Sequence, residues 1–205
     1  MATLGKTATP TSGTHGWILG NSKQVGMLFT VPSPGAIFSS VSFWAATTTS
    51  GYIWGVIWDS SGNVLGHGAG VNTSGGAQHG TGPGGDGQWH TDNFATPVFV
   101  AAGATVYIGW QNNDSTSTYW AYNGGDHSPN AESRGGVTGS PVSFAGHSTE
   151  SPNGAVAAYA TYTPAGGYVR RSGIWTAGPS EVDRSSVESA GPSFVSRSGI
   201  WQPGS

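Results

Sequence analysis

Tyr52-Ile53-Trp54-Gly55-Val56-Ile57-Trp58-Asp59-Ser60-Ser61-Gly62-Asn63-Val64-Leu65 reads as two β-strands joined by a tight connection. Aromatic and β-branched residues suit a pleated, half-buried surface. Asp59 can cap a turn and Gly62 can take positive φ, so residues 59–63 predict a hairpin connection. Successive side chains of a strand point to opposite faces, which sends Ile53 and Ile57 one way and Tyr52, Trp54, Val56 and Trp58 the other. Only one set can face the core of a sandwich. We assign Ile53 and Ile57 to that core with Gly55 between them; the alternative puts the aromatics inside and leaves the isoleucines half-exposed. With the isoleucines inside, the tryptophan face needs a cover from the N-terminal segment, a neighbouring subunit or a ligand, because a bare apolar patch of that size is a liability.

Working outward, segments rich in Val, Ile, Phe, Tyr and Trp recur between Gly, Pro, Ser and Asn clusters. They predict strands at about residues 24–31, 36–46, 52–58, 64–67, 88–94, 98–100, 105–111, 118–122 and 155–163, enough for a two-sheet sandwich. Ala101-Ala102-Gly103-Ala104 predicts a further turn. Ten glycines between Gly66 and Gly87 exclude a regular strand or helix there and predict a long loop. Two more turn-rich stretches, 112–117 and 123–141, would form an apical recognition surface if they lie at one end of the sandwich. Residues 1–23 are expected to be an N-terminal arm.

After Pro164-Ala165-Gly166-Gly167 the character changes, with four of the seven basic residues lying beyond it. A domain boundary is expected there, with 24–163 as the sandwich and 164–205 as a tail. In the tail, Tyr168-Val169-Arg170-Arg171-Ser172-Gly173-Ile174-Trp175 returns as Phe194-Val195-Ser196-Arg197-Ser198-Gly199-Ile200-Trp201. Each copy (168–178 and 194–204) reads as a short hairpin too small to bury a core alone, and therefore as a tag that docks elsewhere. Tyr168, Arg171, Ile174, Trp175, Phe194, Arg197, Ile200 and Trp201 are its candidate anchoring residues.

Composition narrows the function. Only 8% of residues are charged and the net charge is −3, so the clustered Lys and Arg that phosphate binding requires are missing and nucleic acid is not expected as a partner. Absence of cysteine excludes disulfide staples and thiolate-ligated metal. Met1-Ala2-Thr3-Leu4-Gly5-Lys6 lacks the apolar run of a secretory signal, and no stretch approaches the roughly 18 apolar residues of a membrane span. The expectation is a product of the cytoplasm, without membrane insertion, that leaves by a route such as release inside a virus particle.

Catalytic signatures are lacking: there is no Gly-x-Ser-x-Gly elbow and no phosphate-binding loop. Asp86, Asp92, Asp114, Asp126, Glu132 and Glu150 are scattered, and a glycosidase pair would need distant loops to converge. His67, His79, His90, His127 and His147 match no zinc-ligand spacing and read as solvated polar residues. Asn112, Asn113, Asp114 and Asp126 could offer oxygens to a structural calcium, but the favoured expectation is no metal, no cofactor and no catalytic residue. Aromatics are the stronger lead, since Trp and Tyr offer flat apolar faces with a polar edge that suit sugar rings and protein interfaces alike. Trp89, Trp110, Tyr119 and Trp120 are the candidate ligand-binding residues, with Trp89 and Trp120 foremost because glycine or polar residues flank them; the competing role for all four is packing inside the sandwich.

Two resemblances add to this reading. Phe29-Thr30-Val31-Pro32, Val41-Ser42-Phe43-Trp44 and Val56 to Leu65, continuing through Gln88-Trp89, Phe94 to Val100, Ala102-Gly103 and Tyr107-Ile108-Gly109-Trp110, resemble jelly-roll domains of the carbohydrate-binding-module type over about residues 24–163. The tail copies resemble the Arg-x-Gly-hydrophobic-Trp hairpins, often in tandem, that end minor tail proteins of phages infecting actinobacteria. Together they imply an all-β protein, a jelly-roll β-sandwich followed by a tail of short β-hairpin repeats, located in the virion. Its implied role is that of a minor tail or receptor-binding component, with other virion proteins and a host cell-surface glycan as partners. Knobs of this kind are commonly homotrimers. The chain lacks collagen-like repeats and coiled-coil heptads, which speaks against a fibrous shaft. Capsid decoration is the alternative role and glycan hydrolysis a third; neither resemblance carries catalytic residues.

Overall fold

The computed structural model describes residues 1–8, 15–20, 23–47, 52–72, 88–113, 118–123, 131–137, 139–149, 155–165, 168–171, 174–177, 194–197 and 200–203. The chain divides into two units, Met1–Ala165 and Gly166–Ser205. All regular structure among the described residues is β, and no helix long and apolar enough to cross a membrane occurs there.

The first unit is built on two antiparallel sheets. Sheet 1 runs in the order β1 (Ala2–Gly5), β14 (Ala158–Pro164), β4 (Gly35–Thr47), β10 (Thr118–Asn123), β13 (Ala155–Val156), with β2 (His15–Gly20) also on β10 and β8 (Gln88–Ala101) on β4. Sheet 2 runs β12 (Ser148–Thr149), β11 (Glu132–Gly135), β3 (Lys23–Thr30), β9 (Thr105–Asn112), β5 (Tyr52–Asp59), β6 (Val64–His67), with β7 (Val71–Asn72) also on β5. The segment before Lys23, expected as an arm, instead supplies two strands: Ala2 to Gly5 pair with Tyr162 to Tyr159, and His15 to Gly20 pair with Asn123 to Thr118.

The two sheets close on one core. Val25, Met27, Ile53, Ile57, Ile108 and Trp110 from sheet 2 meet Phe38, Val41, Phe43, Ala158 and Ala160 from sheet 1, all fully buried. Ile53 and Ile57 therefore lie where alternation placed them. Gly55 sits between them because a Cβ there would stand 2.7 Å from the Val41 Cβ of the opposite sheet. The turn after β5 also forms as read: Gly62 has φ of +84°, and the Asp59 carboxylate accepts the Ser61 and Asn63 N–H groups at 2.8 Å each.

Over Val56 and Trp58 the cover is none of the three expected: it is a later segment of the same chain, while Tyr52 at the other end of the strand stays exposed and Trp54 half-buried. Residues 139–147 lie across the outer face of β3, β9 and β5, where Phe144 is fully buried with Val56, Trp58 and Tyr107. Its ring stacks on Trp58 at 4.9 Å and meets Tyr107 edge-on at 5.1 Å. Gly26 and Gly109 face each other across β3 and β9: a Cβ on Gly26 would lie 3.2 Å from the Phe144 ring, and one on Gly109 would run into the Val25 carbonyl of the neighbouring strand. Two buried glutamines fasten the segment. Gln24 Nε2 donates to Gln111 Oε1 at 2.8 Å and to the Val142 carbonyl at 2.7 Å. Gln111 Nε2 donates to the carbonyls of Gly139 and Ser140, and its Oε1 accepts the Val142 N–H at 3.0 Å. Trp58 Nε1 reaches the same Val142 carbonyl at 3.0 Å, and Phe144 N–H the Gly62 carbonyl at 2.7 Å.

In the second unit, β15 (Tyr168–Arg171) pairs with β16 (Ile174–Ala177), and β17 (Phe194–Arg197) with β18 (Ile200–Pro203), as two separate two-stranded sheets. Arg171 pairs with Ile174 and Arg197 with Ile200, so each Ser-Gly pair occupies the same two-residue gap of its copy.

Candidate functional site

Three strands remote in sequence build an aromatic cluster on the outer face of sheet 1. On β4, Phe43 and Ala45 are buried in the core, so alternation turns Trp44 outward. On β8, Trp89 is the register partner of Trp44, and on β14 Tyr159 stands between the buried Ala158 and Ala160. The Trp44 and Trp89 rings meet edge-on at 5.7 Å, and Trp89 meets Tyr159 at 5.0 Å. All three remain partly exposed.

Hydroxyls continue the face along the strands. Ser42 Oγ and Thr91 Oγ1 share a hydrogen bond of 2.8 Å; Ser42 and Ser40 are buried, so their register partners Thr91, Asn93 and Thr161 are the polar side chains that this face presents. From Trp44, Trp89 and Tyr159 through Ser42, Thr91, Ser40, Asn93 and Thr161, no side chain carries a charge. Flat rings beside hydroxyl and amide groups, without a fixed charge, can stack on an uncharged ring and exchange hydrogen bonds with its substituents. Such a face offers no electrostatic recognition of phosphate or carboxylate.

Of the four aromatics the sequence singled out, Trp89 alone is placed in this cluster. Trp110 is corrected: it is fully buried between the sheets, 6.5 Å from Phe43, and has no surface to offer a ligand. Its strand shows why, since Val106, Ile108 and Trp110 share one parity and all face the core. Tyr119 and Trp120 lie on β10 at register positions opposite Ala46 and Ala45, and their side chains fall outside the described residues. The eight tail residues have the pairings given above, with their side chains likewise outside the described set. Trp44 and Tyr159 were missed; alternation around buried Phe43 and small Ala158 and Ala160 was the available signal.

Among the described residues, two carboxylates serve the fold, while Asp86, Asp114, Asp126, Glu150, His79 and His127 lie outside the described residues. Asp92 is on β8 and 4% exposed. It accepts the Gly55 N–H at 3.0 Å and the Gly70 N–H at 3.2 Å, tying β8 to β5 and to the loop before β7. Burial raises its pKa, outweighing those hydrogen bonds and the nearby His67. Glu132 accepts the Tyr107 hydroxyl at 3.2 Å and lies against His147 Nδ1, while the His147 ring stacks on Phe144 at 4.6 Å. Burial first, and then the Glu132 charge and hydrogen bond, push the Tyr107 hydroxyl up to about 12. A shallow cleft of about 420 Å³ lies between β6 and β8, lined by Leu65, His67, Thr96 and Val98 among others. Among the described residues, no three His, Asp or Glu side chains gather to hold a metal ion. No protein-family model matches this chain, and no curated protein or solved structure matches it either, so its own residues carry the functional reading.

Proposed function

We propose that this chain is a structural component of a phage virion, a minor tail or receptor-binding protein. In this reading its jelly-roll sandwich displays a glycan-binding face to the host surface, and its C-terminal hairpin repeats anchor it to neighbouring virion proteins. The observation that carries the binding half is the partly exposed Trp44, Trp89 and Tyr159 cluster continued by uncharged hydroxyl groups. The anchoring half rests on the repeated hairpin sequence and its likeness to the ends of phage tail proteins. Presented in several copies, as in a trimer, weak sugar contacts sum to firm attachment. The role needs no cofactor and no catalytic residue.

The test is binding of the purified protein to actinobacterial cells and to neutral polysaccharide isolated from their walls. Losing one stacked ring is worth on the order of 1 kcal/mol, so Trp89→Ala and Trp44→Ala should each weaken binding several-fold while thermal unfolding of the sandwich stays cooperative. If the unmodified protein ignores both probes, or binds them equally well after both substitutions, the adhesion reading falls.

A further inference from the structure

A second pair of outward rings lies on sheet 2. Tyr52 and Trp54 share the outer parity of β5 with Val56 and Trp58, but they stand beside the 139–147 segment rather than under it: Tyr52 is 42% exposed and Trp54 half-buried. Their rings lie 5.9 Å apart and 24° from parallel. Trp54 is held in place on two sides. It packs against the Val56, Trp58, Tyr107 and Phe144 cluster, and the Gly70 backbone lies so close on its indole that a Cβ there would stand 2.7 Å from Nε1 and 3.0 Å from Cδ1. Gly70 is itself placed by the buried Asp92 carboxylate, which accepts its N–H and that of Gly55 between the rings and the core of β5. A buried carboxylate thus fixes an outward indole, and a ring fixed in advance loses little freedom when a ligand stacks on it. The register partners of Tyr52 and Trp54 are Asn72 and Gln111, neither of them charged, and Asn113 donates its backbone N–H to the Tyr52 carbonyl at 3.2 Å.

Building on the glycan reading above, we infer that Tyr52 and Trp54 form a second site for a ring of the same uncharged glycan, on the opposite face of the sandwich from Trp44, Trp89 and Tyr159. Size and charge select the occupant. Two aromatic side chains bury at most about 150–250 Å² each, and these are already part-covered, so the patch falls well short of the roughly 800 Å² per partner of a standard protein interface. Amide-bearing neighbours without lysine or arginine give a phosphate or carboxylate nothing to pair with. A small flat ligand rimmed by hydroxyls suits the site, since its ring can stack on indole and phenol while its hydroxyls meet polar edges. That is also the chemistry of the first cluster, so one kind of glycan serves both. The two sites lie at one end of the sandwich: Ala45, next to Trp44, pairs with Gln88, next to Trp89, near the end of β4, and residues 48–51 lead from there to Tyr52. A glycan presented at that end is gripped on two faces by one chain, which adds avidity within each copy.

The experiment titrates full-length protein, isotope-labelled on the tryptophan nitrogens, with short neutral oligosaccharides released from actinobacterial wall polysaccharide, and follows the indole N–H signals of Trp54 and Trp89. Both should shift and saturate. Tyr52→Ala, at an exposed position that leaves the fold intact, should weaken binding read at Trp54 about fivefold and leave the Trp89 titration unchanged. Trp89→Ala should leave the Trp54 titration unchanged. If neither signal responds in the unmodified protein, the glycan reading and this inference fall together. A response at Trp89 with none at Trp54, or a Trp54 titration indifferent to Tyr52→Ala, overturns the second site alone. A response at Trp54 with none at Trp89 supports the second site and overturns the first. Dissociation of a dimer by Tyr52→Ala in sedimentation would assign the patch to a second copy and overturn the inference.

Discussion

Replacing Phe144 by alanine tests whether a single side chain from a non-strand segment seals the second aromatic face. The ring is fully buried and lies 4.9 Å from Trp58, 5.1 Å from Tyr107 and 4.6 Å from His147. Burying a side chain of this size is worth about 2–3 kcal/mol, and each aromatic contact adds roughly 0.5–1.5 kcal/mol. The ring lies over the Gly26 backbone, which has no side chain to move into the gap, so the cost should stand near the usual Phe→Ala range of about 3–5 kcal/mol. One effect limits it: the segment can peel away locally instead of opening the whole sandwich, at the expense of its hydrogen bonds to Gln24, Gln111 and Trp58. We therefore expect a loss of about 3 kcal/mol in urea unfolding, together with faster hydrogen exchange at Val142 and a red shift of Trp58 emission. A loss below about 1 kcal/mol with unchanged exchange at Val142 would refute the assignment of Phe144 as the seal.

Gly109→Ala should be worse than Gly26→Ala, because its Cβ would meet the Val25 carbonyl oxygen at 1.9 Å whereas the other meets the Phe144 ring at 3.2 Å; losses of about 3 kcal/mol or more against about 1 kcal/mol in denaturant titrations are expected. For Asp92, burial raises the folded carboxyl above its ordinary 3.8, so the fold binds the proton more tightly than the unfolded chain does. Stability of the unmodified protein relative to Asp92→Asn should accordingly increase as pH falls from neutral through the folded value and level off below 3.8, as read from paired melts across pH. A trend of opposite sign would mean that the Gly55 and Gly70 hydrogen bonds outweigh burial. Deleting residues 166–205 should leave the melting transition of the sandwich within a degree or two, roughly the effect of an independent unit, while abolishing incorporation into particles; a sandwich that melts much earlier would show that the tail stabilises it.

Period-two patterning made most of the sandwich legible. It placed Ile53 and Ile57 inside and set the turn at Asp59 to Asn63, because in both cases the deciding physics lies within a few residues. It also contained the answer for Trp110, which shares its parity with Val106 and Ile108; proximity to a polar loop was the weaker guide. Pro97 made one strand look like two. β8 runs unbroken from Gln88 to Ala101, and the proline falls where the pairing with β4 shifts between the Phe38 and Ser40 partners, a position that tolerates a missing N–H. The seal over Trp58 was not legible. Gln24 and Gln111 look like surface residues, and nothing local tells that their amides would be buried on the carbonyls of a segment about thirty to more than a hundred residues away.

The aromatic cluster was only partly legible for a related reason: Trp44, Trp89 and Tyr159 converge through strand register, which no local window contains. Their surroundings nevertheless distinguish the two outer faces of the sandwich. Both carry tryptophan. On sheet 2 Trp58 and Tyr107 are sealed by residues 139–147, and freeing them for a partner would sacrifice the buried Phe144 and the amide network around Val142, whereas the stacked Tyr52 and Trp54 further along β5 stay partly exposed. On sheet 1 the rings stay partly open beside the exposed Thr91 and Asn93, and a ligand could stack on them without displacing the packing of the core. A recognition surface has to expose its apolar rings in the unbound state at tolerable cost, and mutual edge-on packing of Trp44, Trp89 and Tyr159 provides for that by hiding part of each ring against the next. Binding at the Trp44, Trp89 and Tyr159 cluster can thus act without first undoing the fold.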